Sequence, residues 1–185
     1  MKWLMAHVAR TATRDDADAI TQIYNEGIRD RVGTFETRER TPDEVRAWFD
    51  GHHPIVVVEA DGGEIVAFAA TSPYRPRDCY AGIADFSVYV SRPQRGHGAG
   101  RVAMEALIEA ARAAGLWKLV SRVFVENVAS RSLLRSVGFR EVGVYQKHAR
   151  LDGRWRDAVV VERLIPENQP DVEPSSGPTS PALSG

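Results

Sequence analysis

Three glycines in the run Arg95-Gly96-His97-Gly98-Ala99-Gly100 stand between a predicted strand and a predicted helix. That combination leaves several backbone N–H groups pointing at one spot, with the positive end of a helix dipole behind them, which is an anion site. Without side chains at Gly96, Gly98 and Gly100 a pyrophosphate can come close to the main chain. The same run also suits a loop chosen only for its geometry. It lacks the Gly-Lys-Ser/Thr of a Walker loop and does not open the chain as a dinucleotide fingerprint does, so the phosphate of ATP or NAD is not the expected ligand.

Immediately upstream, Ala84-Asp85-Phe86-Ser87-Val88-Tyr89-Val90 alternates, with Phe86, Val88 and Val90 opposing Asp85, Ser87 and Tyr89. A carboxylate on the polar face of such a strand can take a proton from an amine, directly or through water. The alternative for Asp85 is a carboxylate satisfied by a neighbouring arginine or a strand-edge amide. The loop that feeds the strand, Tyr74-Arg75-Pro76-Arg77-Asp78-Cys79-Tyr80, carries two fixed positive charges. Arginine suits bidentate capture of a carboxylate or phosphinate, whereas solvated loop arginines are the plainer reading.

Other chemistries find less support. His52-His53 beside Pro54 has no further clustered ligands, so no metal is expected. Cys79 is the only cysteine, which excludes an intrachain disulfide and a zinc cluster. No motif gives it a paired base, and a small packing residue is expected there. A net charge of −1 over 185 residues gives no broad field for nucleic acid or an anionic membrane. Neither a signal-length apolar run near Met1 nor a bilayer-length stretch is present, and a cytoplasmic protein in a reducing compartment is expected.

The elements that must hold these residues follow from hydrophobic period and punctuation. Val8 to Thr11 reads as a strand, and a capped helix with Ala17, Ile20, Ile23, Tyr24 and Ile28 on its core face comes next. Thr41-Pro42-Asp43-Glu44 announces a second helix through Trp48 and Phe49, ending near Gly51. Ile55 to Ala60 and Glu64 to Ala69 flank Asp61-Gly62-Gly63 as a hairpin. After the glycine turn a long helix carries Met104, Leu107, Ile108 and Ala111 to a stop at Gly115. Trp117 to Phe124 is a strand, Val128 to Val137 a helix, and Val142–Tyr145 and Ala158–Val161 are the last two strands, with Gly153 between them. The order β-α-α-β-β-β-α-β-α-β-β predicts an α/β domain over residues 1–166. Residues 167–185, rich in Pro, Ser and Gly, are expected to be a disordered tail.

On these motifs the sequence resembles the GCN5-related N-acetyltransferase (GNAT) superfamily, whose Arg/Gln-x-x-Gly-x-Gly/Ala signature is matched by Arg95, Gly98 and Gly100. Ala84 to Val90, Glu126-Asn127 and Gly153-x-Trp155-x-Asp157 are similar to the phosphinothricin and arsinothricin N-acetyltransferase branch. The resemblance covers about Arg10 to Leu164. It implies a GNAT fold, a mixed central β-sheet flanked by helices on both faces, with acetyl-CoA as co-substrate and a homodimer as the assembly. It places the pyrophosphate on the backbone of Gly96, His97, Gly98, Ala99 and Gly100, and the pantetheine arm on main-chain groups of Val88 and Val90. Asn127 and Ser130 are implied to touch the same arm.

Arg75, Arg77 and Tyr80, with Thr34 and Phe35 in the loop after the first helix, match the family's substrate segments. Related enzymes usually carry glutamate where Asp85 stands; the shorter side chain calls for a bridging water or a closer strand. Many members place a thiolate-protonating tyrosine four residues before the Gly-Phe pair, where this chain has Leu134. Tyr145 is either a substitute or a strand aromatic packed on the core. The resemblance therefore implies N-acetylation of a small acidic amino-acid analogue. The alternatives are acetylation of methionine sulfone, methionine sulfoximine or another L-amino acid, or a catalytically silent acyl-CoA-binding module.

Overall fold

The computed structural model describes residues 7–169, and residues 1–6 and 170–185 lie outside that description. Seven strands form one sheet: β1 Val8–Thr11, β2 Ile55–Glu59, β3 Ile65–Pro73, β4 Ile83–Val90, β5 Lys118–Phe124, β6 Arg140–Leu151 and β7 Arg154–Leu164. Their spatial order is β1-β2-β3-β4-β5-β7-β6, with β4 and β5 parallel and every other neighbouring pair antiparallel. The helices are α1 Ala17–Asp30, α2 Pro42–Arg46, α3 Ala99–Ala113 and α4 Val128–Ser136. This is the expected mixed sheet.

Strand alternation divides the apolar residues between two cores, one on each face. Val56, Val58, Ala67, Ala69 and Phe86 pack with Met104 and Leu107 of α3 and Leu134 of α4. Ile55, Val57, Phe68 and Ala70 pack with Ile20 and Ile23 of α1 and Val45 of α2. Met104 and Leu107 are completely buried, and each such side chain contributes roughly 1.5–3 kcal/mol. The helical face read from the sequence is the buried one: Ala17, Ile20, Ile23 and Ile28 are all inside.

Several elements depart from their predicted bounds. The second helix stops at Arg46, because Trp48 and Phe49 donate their N–H groups three residues back and tighten the chain out of α geometry. The last two strands are far longer than the apolar runs that announced them, since β6 is exposed along almost its whole length and shows no buried alternation. Cys79 is exposed, not packed. The ordered body runs past the expected boundary at Pro166: Pro166–Asn168 is a 3-10 turn, and Asn168 Nδ2 donates to Arg112 O and Leu116 O, both at 2.8 Å. Of the predicted tail, residues 170–185 fall outside the described residues.

Candidate active site

The feature that organises the site is an incomplete pairing. β4 and β5 are in register from Ile83↔Lys118 through Asp85↔Val120, and there the ladder ends. Ser121 Oγ donates to Phe86 O at 2.9 Å just beyond that point. The main chain of β4 alternates: Ser91 N donates to Val66 O on the β3 side, whereas Phe86 O and Val90 O accept from Ser121 and Arg95 on the β5 side. By that alternation Val88, with both its N–H and its C=O, and the N–H of Val90 face the gap.

A cleft of about 480 Å³ occupies the gap, lined by Val88, Val90, Gly96, Gly98, Gly100, Ser121, Arg122, Asn127 and Ser130 among others. Gly98, at φ 96°, is the N-cap of α3, and Gly96 has φ 79°; a Cβ built on either would meet no atom within 4 Å. These two positions need glycine for their backbone angles and present bare main chain at the positive end of a 15-residue helix. Gly100 does something different. A Cβ there would lie 3.1 Å from Leu133 Cδ2 and 3.3 Å from Val90 Cγ2, so its missing side chain lets α3 close on β4 and α4.

The turn is braced from α1. Arg95 Nε donates to Val90 O at 3.0 Å and its Nη1 lies 2.7 Å from Asp30 Oδ2, while Arg92 Nη2 is 2.6 Å from Asp30 Oδ1. The Arg92 hydrogen bond, aided by Arg95, holds the Asp30 carboxyl below its usual range despite its partial burial. His97 is exposed and Ala99 is buried, and neither side chain lines the cleft. Asn127 caps α4 by accepting from Ser130 N at 3.1 Å, and its Nδ2 donates to Val32 O at 3.0 Å, which ties the exit of α1 to the cleft wall. The donor set and the bare glycine turn fit a diphosphate with an extended amide-bearing arm.

The opposite side of the gap is charged. Asp85 points to the face covered by α1 and α2, and its Oδ1 lies 2.5 Å from Arg122 Nη1 of β5. Burial pushes the Asp85 carboxyl above its usual range, against the pull of Arg122 and, from further off, of Arg75. Thus a partner arginine, the alternative weighed for Asp85, is present, yet the group's proton affinity is raised. Ser87, two residues on, borders both the cleft and a second hollow of about 660 Å³ that includes Tyr24, Trp48, Thr71 and Ser72.

The predicted acceptor residues lie on two separate segments. Arg75 lies over the Tyr74 ring at 5.2 Å, and Tyr74 meets Tyr80 edge-on at 5.7 Å. Arg77 is exposed, and its main chain joins the turn through Tyr80 N to Arg77 O at 2.8 Å. Phe35 packs edge-on against Phe124 at 4.7 Å and near His148 at 6.0 Å. Thr34 Oγ1 accepts from Glu36 N at 3.1 Å. None of these five lines the cleft beside the glycine turn.

Leu134 is buried in the cleft wall and offers no proton. Tyr145 is not on the core: it is half exposed and stacks on His148 at 4.9 Å. A bulge between Tyr145 and Ala149 projects His148 towards Phe35. Lys147 there has φ 47°, and its N–H donates to Asp157 Oδ1 at 2.7 Å, which gives the Asp157 of the Gly-x-Trp-x-Asp motif a structural part. The sequence reading missed Arg122; a lone charge within the otherwise uncharged Leu119–Phe124 stretch of an interior strand was the available signal. Among the described residues no group of three or more His, Cys, Asp or Glu side chains could hold a metal ion, and no helix is long and apolar enough to cross a membrane.

The profile of the acetyltransferase (GNAT) family matches residues 3–139. A phosphinothricin N-acetyltransferase of Streptomyces coelicolor is 33% identical over 162 residues, 84% of this chain and 95% of that protein. An L-methionine sulfoximine/L-methionine sulfone acetyltransferase of Pseudomonas aeruginosa is 32% identical over 162 residues, 85% and 94% of the two chains. The crystal structure of a phosphinothricin acetyltransferase from Sinorhizobium meliloti in complex with acetyl-CoA superposes with a TM-score of 0.83 at 26% identity, over 94% of this chain and 95% of that one. With the parted strands and the bare glycine turn, these likenesses make the chain a member of the GNAT family, an acetyl-CoA-dependent N-acetyltransferase.

Proposed function

We propose that the enzyme acetylates the α-amine of a small amino acid bearing a second acidic group, of the phosphinothricin or arsinothricin kind, and so detoxifies it. The observation that carries this reading is Asp85 at the point where β4 and β5 part, with a carboxyl whose proton affinity is raised by burial and with the charge of Arg75 reaching it. Asp85 takes a proton from the substrate ammonium, directly or through water, because only the neutral amine carries the lone pair that attacks. Acetyl-CoA, when bound, supplies the thioester carbon to which that nitrogen bonds as the carbon–sulfur bond breaks and CoA leaves to pick up a proton. Val88 and Val90 hold the extended arm through main-chain groups, and the turn from Gly96 to Gly100 holds the diphosphate. Arg75 and Arg77 orient the distal acid so that the amine faces the thioester.

A second reading keeps the same chemistry with methionine sulfone or sulfoximine as acceptor, favoured by relatives so named at almost the same identity and coverage. Release of CoA measured with phosphinothricin, arsinothricin, methionine sulfone, methionine sulfoximine and glutamate separates the two. The acidic analogues should have the highest kcat/KM. Preference for the neutral sulfone would favour the second reading, and CoA binding without turnover on the whole panel would leave a silent acyl-CoA-binding module.

A further inference from the structure

Asp85 belongs to the last paired residues of two adjacent parallel strands, Asp85↔Val120, and Arg122, two residues past Val120, projects onto the same face of the sheet. Phe124, two residues past Arg122, meets Phe35 of the acceptor loop, and Tyr89, four past Asp85, packs with Tyr24 of α1 and Phe68. The pair uses little of its own capacity. One guanidinium nitrogen contacts Asp85 Oδ1; among the described residues Arg122 has no other hydrogen-bond partner for its side chain, and Asp85 Oδ2 has none. Both side chains keep solvent access, 36% for Arg122 and 23% for Asp85. A free cationic edge and a free carboxylate oxygen therefore stand side by side at the mouth of the gap.

An α-amino acid presents the complementary arrangement, since its ammonium and carboxylate are borne on one carbon and lie a hydrogen-bond length apart. We infer that Arg122 receives the α-carboxylate of the acceptor while Asp85 holds its ammonium, so that the enzyme selects free α-amino acids over other amines. This rests on the reading of Asp85 as the group that faces the amine. The four charges alternate in sign around a ring, so docking leaves none of them unpaired, and each contact is charge-assisted. An amine without an α-carboxylate would dock beside an arginine whose free edge it cannot use. Arg75 and Arg77 have no acidic side-chain partner among the described residues and remain available for the distal acid.

The test compares phosphinothricin and methionine sulfone, each against its own α-carboxamide, by steady-state CoA release with wild type, Arg122→Gln and Arg122→Lys. The same four compounds are titrated calorimetrically into each protein saturated with CoA. In wild type each free acid should exceed its amide at least about tenfold in kcat/KM, the loss expected for one charge-assisted pair. The amide's amine is the less basic and more readily deprotonated of the two, which works against that result and makes it stringent. Arg122→Gln should bring the ratio near one by lowering the acid's value alone, and Arg122→Lys should recover part of it.

A wild-type ratio near one overturns the inference without recourse to any variant. So does a ratio unchanged in Arg122→Gln beside a lowered melting temperature, which would make the pair structural. If wild type turns over none of the four compounds, the proposed function fails while the titrations still decide the inference. Acid bound about tenfold tighter than amide, with the difference lost in Arg122→Gln, sustains it; equal binding or none overturns it.

Discussion

The two sides of the gap between β4 and β5 are made of different material. Towards α3 the groups offered to a ligand are main-chain ones, from Val88, Val90 and the turn at Gly96 and Gly98, fixed by strand geometry and by positive backbone angles. Towards α1 and α2 they are side chains, Asp85 from β4, Arg122 from β5 and Arg75 from a loop, already engaged with one another through short-range pairing or longer-range charge. A main-chain site presents the same groups whatever the neighbouring side chains, which suits a co-substrate that does not vary. A side-chain site can be retuned one residue at a time, which suits an acceptor that differs between relatives.

The strongest attack on this division is Asp85→Asn. It keeps the size and removes the acceptor charge, so kcat should fall by about a hundredfold or more while the KM for acetyl-CoA stays within error. The base must be ionised to act, and burial favours its neutral form, so the wild-type rate should climb with pH along a limb lying above the usual carboxylate range. In Asp85→Asn that limb should vanish. Turnover that survives across pH in the variant would make Asp85 structural and the division false. Next in size are the loop arginines. Arg75→Ala and Arg77→Ala should each raise the KM for an acidic analogue at least about tenfold with little change for a neutral amino acid. Arg75, whose charge reaches Asp85, should show the larger effect. An equal effect on both classes of acceptor would remove the arginines from specificity.

The main-chain side is sharpened by Gly98→Ala. The position has φ 96° with open space around it, so the substitution strains the backbone without a clash. A strain of about 1–3 kcal/mol that displaces the N-terminus of α3 should raise the KM for acetyl-CoA about fivefold and leave the acceptor KM unchanged. A change confined to the acceptor KM would mean that the turn serves the other side.

What could be read in advance follows the same line. The glycine turn was legible because its chemistry is carried by consecutive residues. The core faces of the helices were legible because Ala17, Ile20, Ile23 and Ile28, and Met104, Leu107 and Ala111, recur at helical spacing, whereas the unbroken run Ile55 to Val58 did not show that it divides between two cores. The Asp85–Arg122 contact joins residues 37 apart on strands whose adjacency depends on a helical crossover, so the lone charge in each strand is visible locally but their meeting is not. The length of β6 was hidden for a different reason: its side chains are almost all exposed, so pairing with β7, rather than burial, makes it a strand. Asn127 was read only as a contact of the arm. Its N-cap and its bond to Val32 give it a structural task that a motif match cannot separate from binding.

The smallest effect expected is at the far end of the molecule and serves as the control for the comparison. Asn168 Nδ2 donates to Arg112 O and Leu116 O, which fastens the turn after β7 to the C-terminal end of α3. α3 carries the glycine turn at its other end, 15 residues away along the helix. Loss of these bonds in Asn168→Ala should cost about 1 kcal/mol, since the carbonyls left behind can turn to water. For a domain of this size that is a fall of about 2–4 °C in Tm. Neither the KM for acetyl-CoA nor that for the acceptor should move, because the first turn of α3 is held independently by Arg95 on Asp30 and by Gly100 against Val90 and Leu133. A thermal melt and two saturation curves settle it. If the KM for acetyl-CoA rises along with the loss of stability, the main-chain side depends on the far end of its helix and is not a self-contained frame.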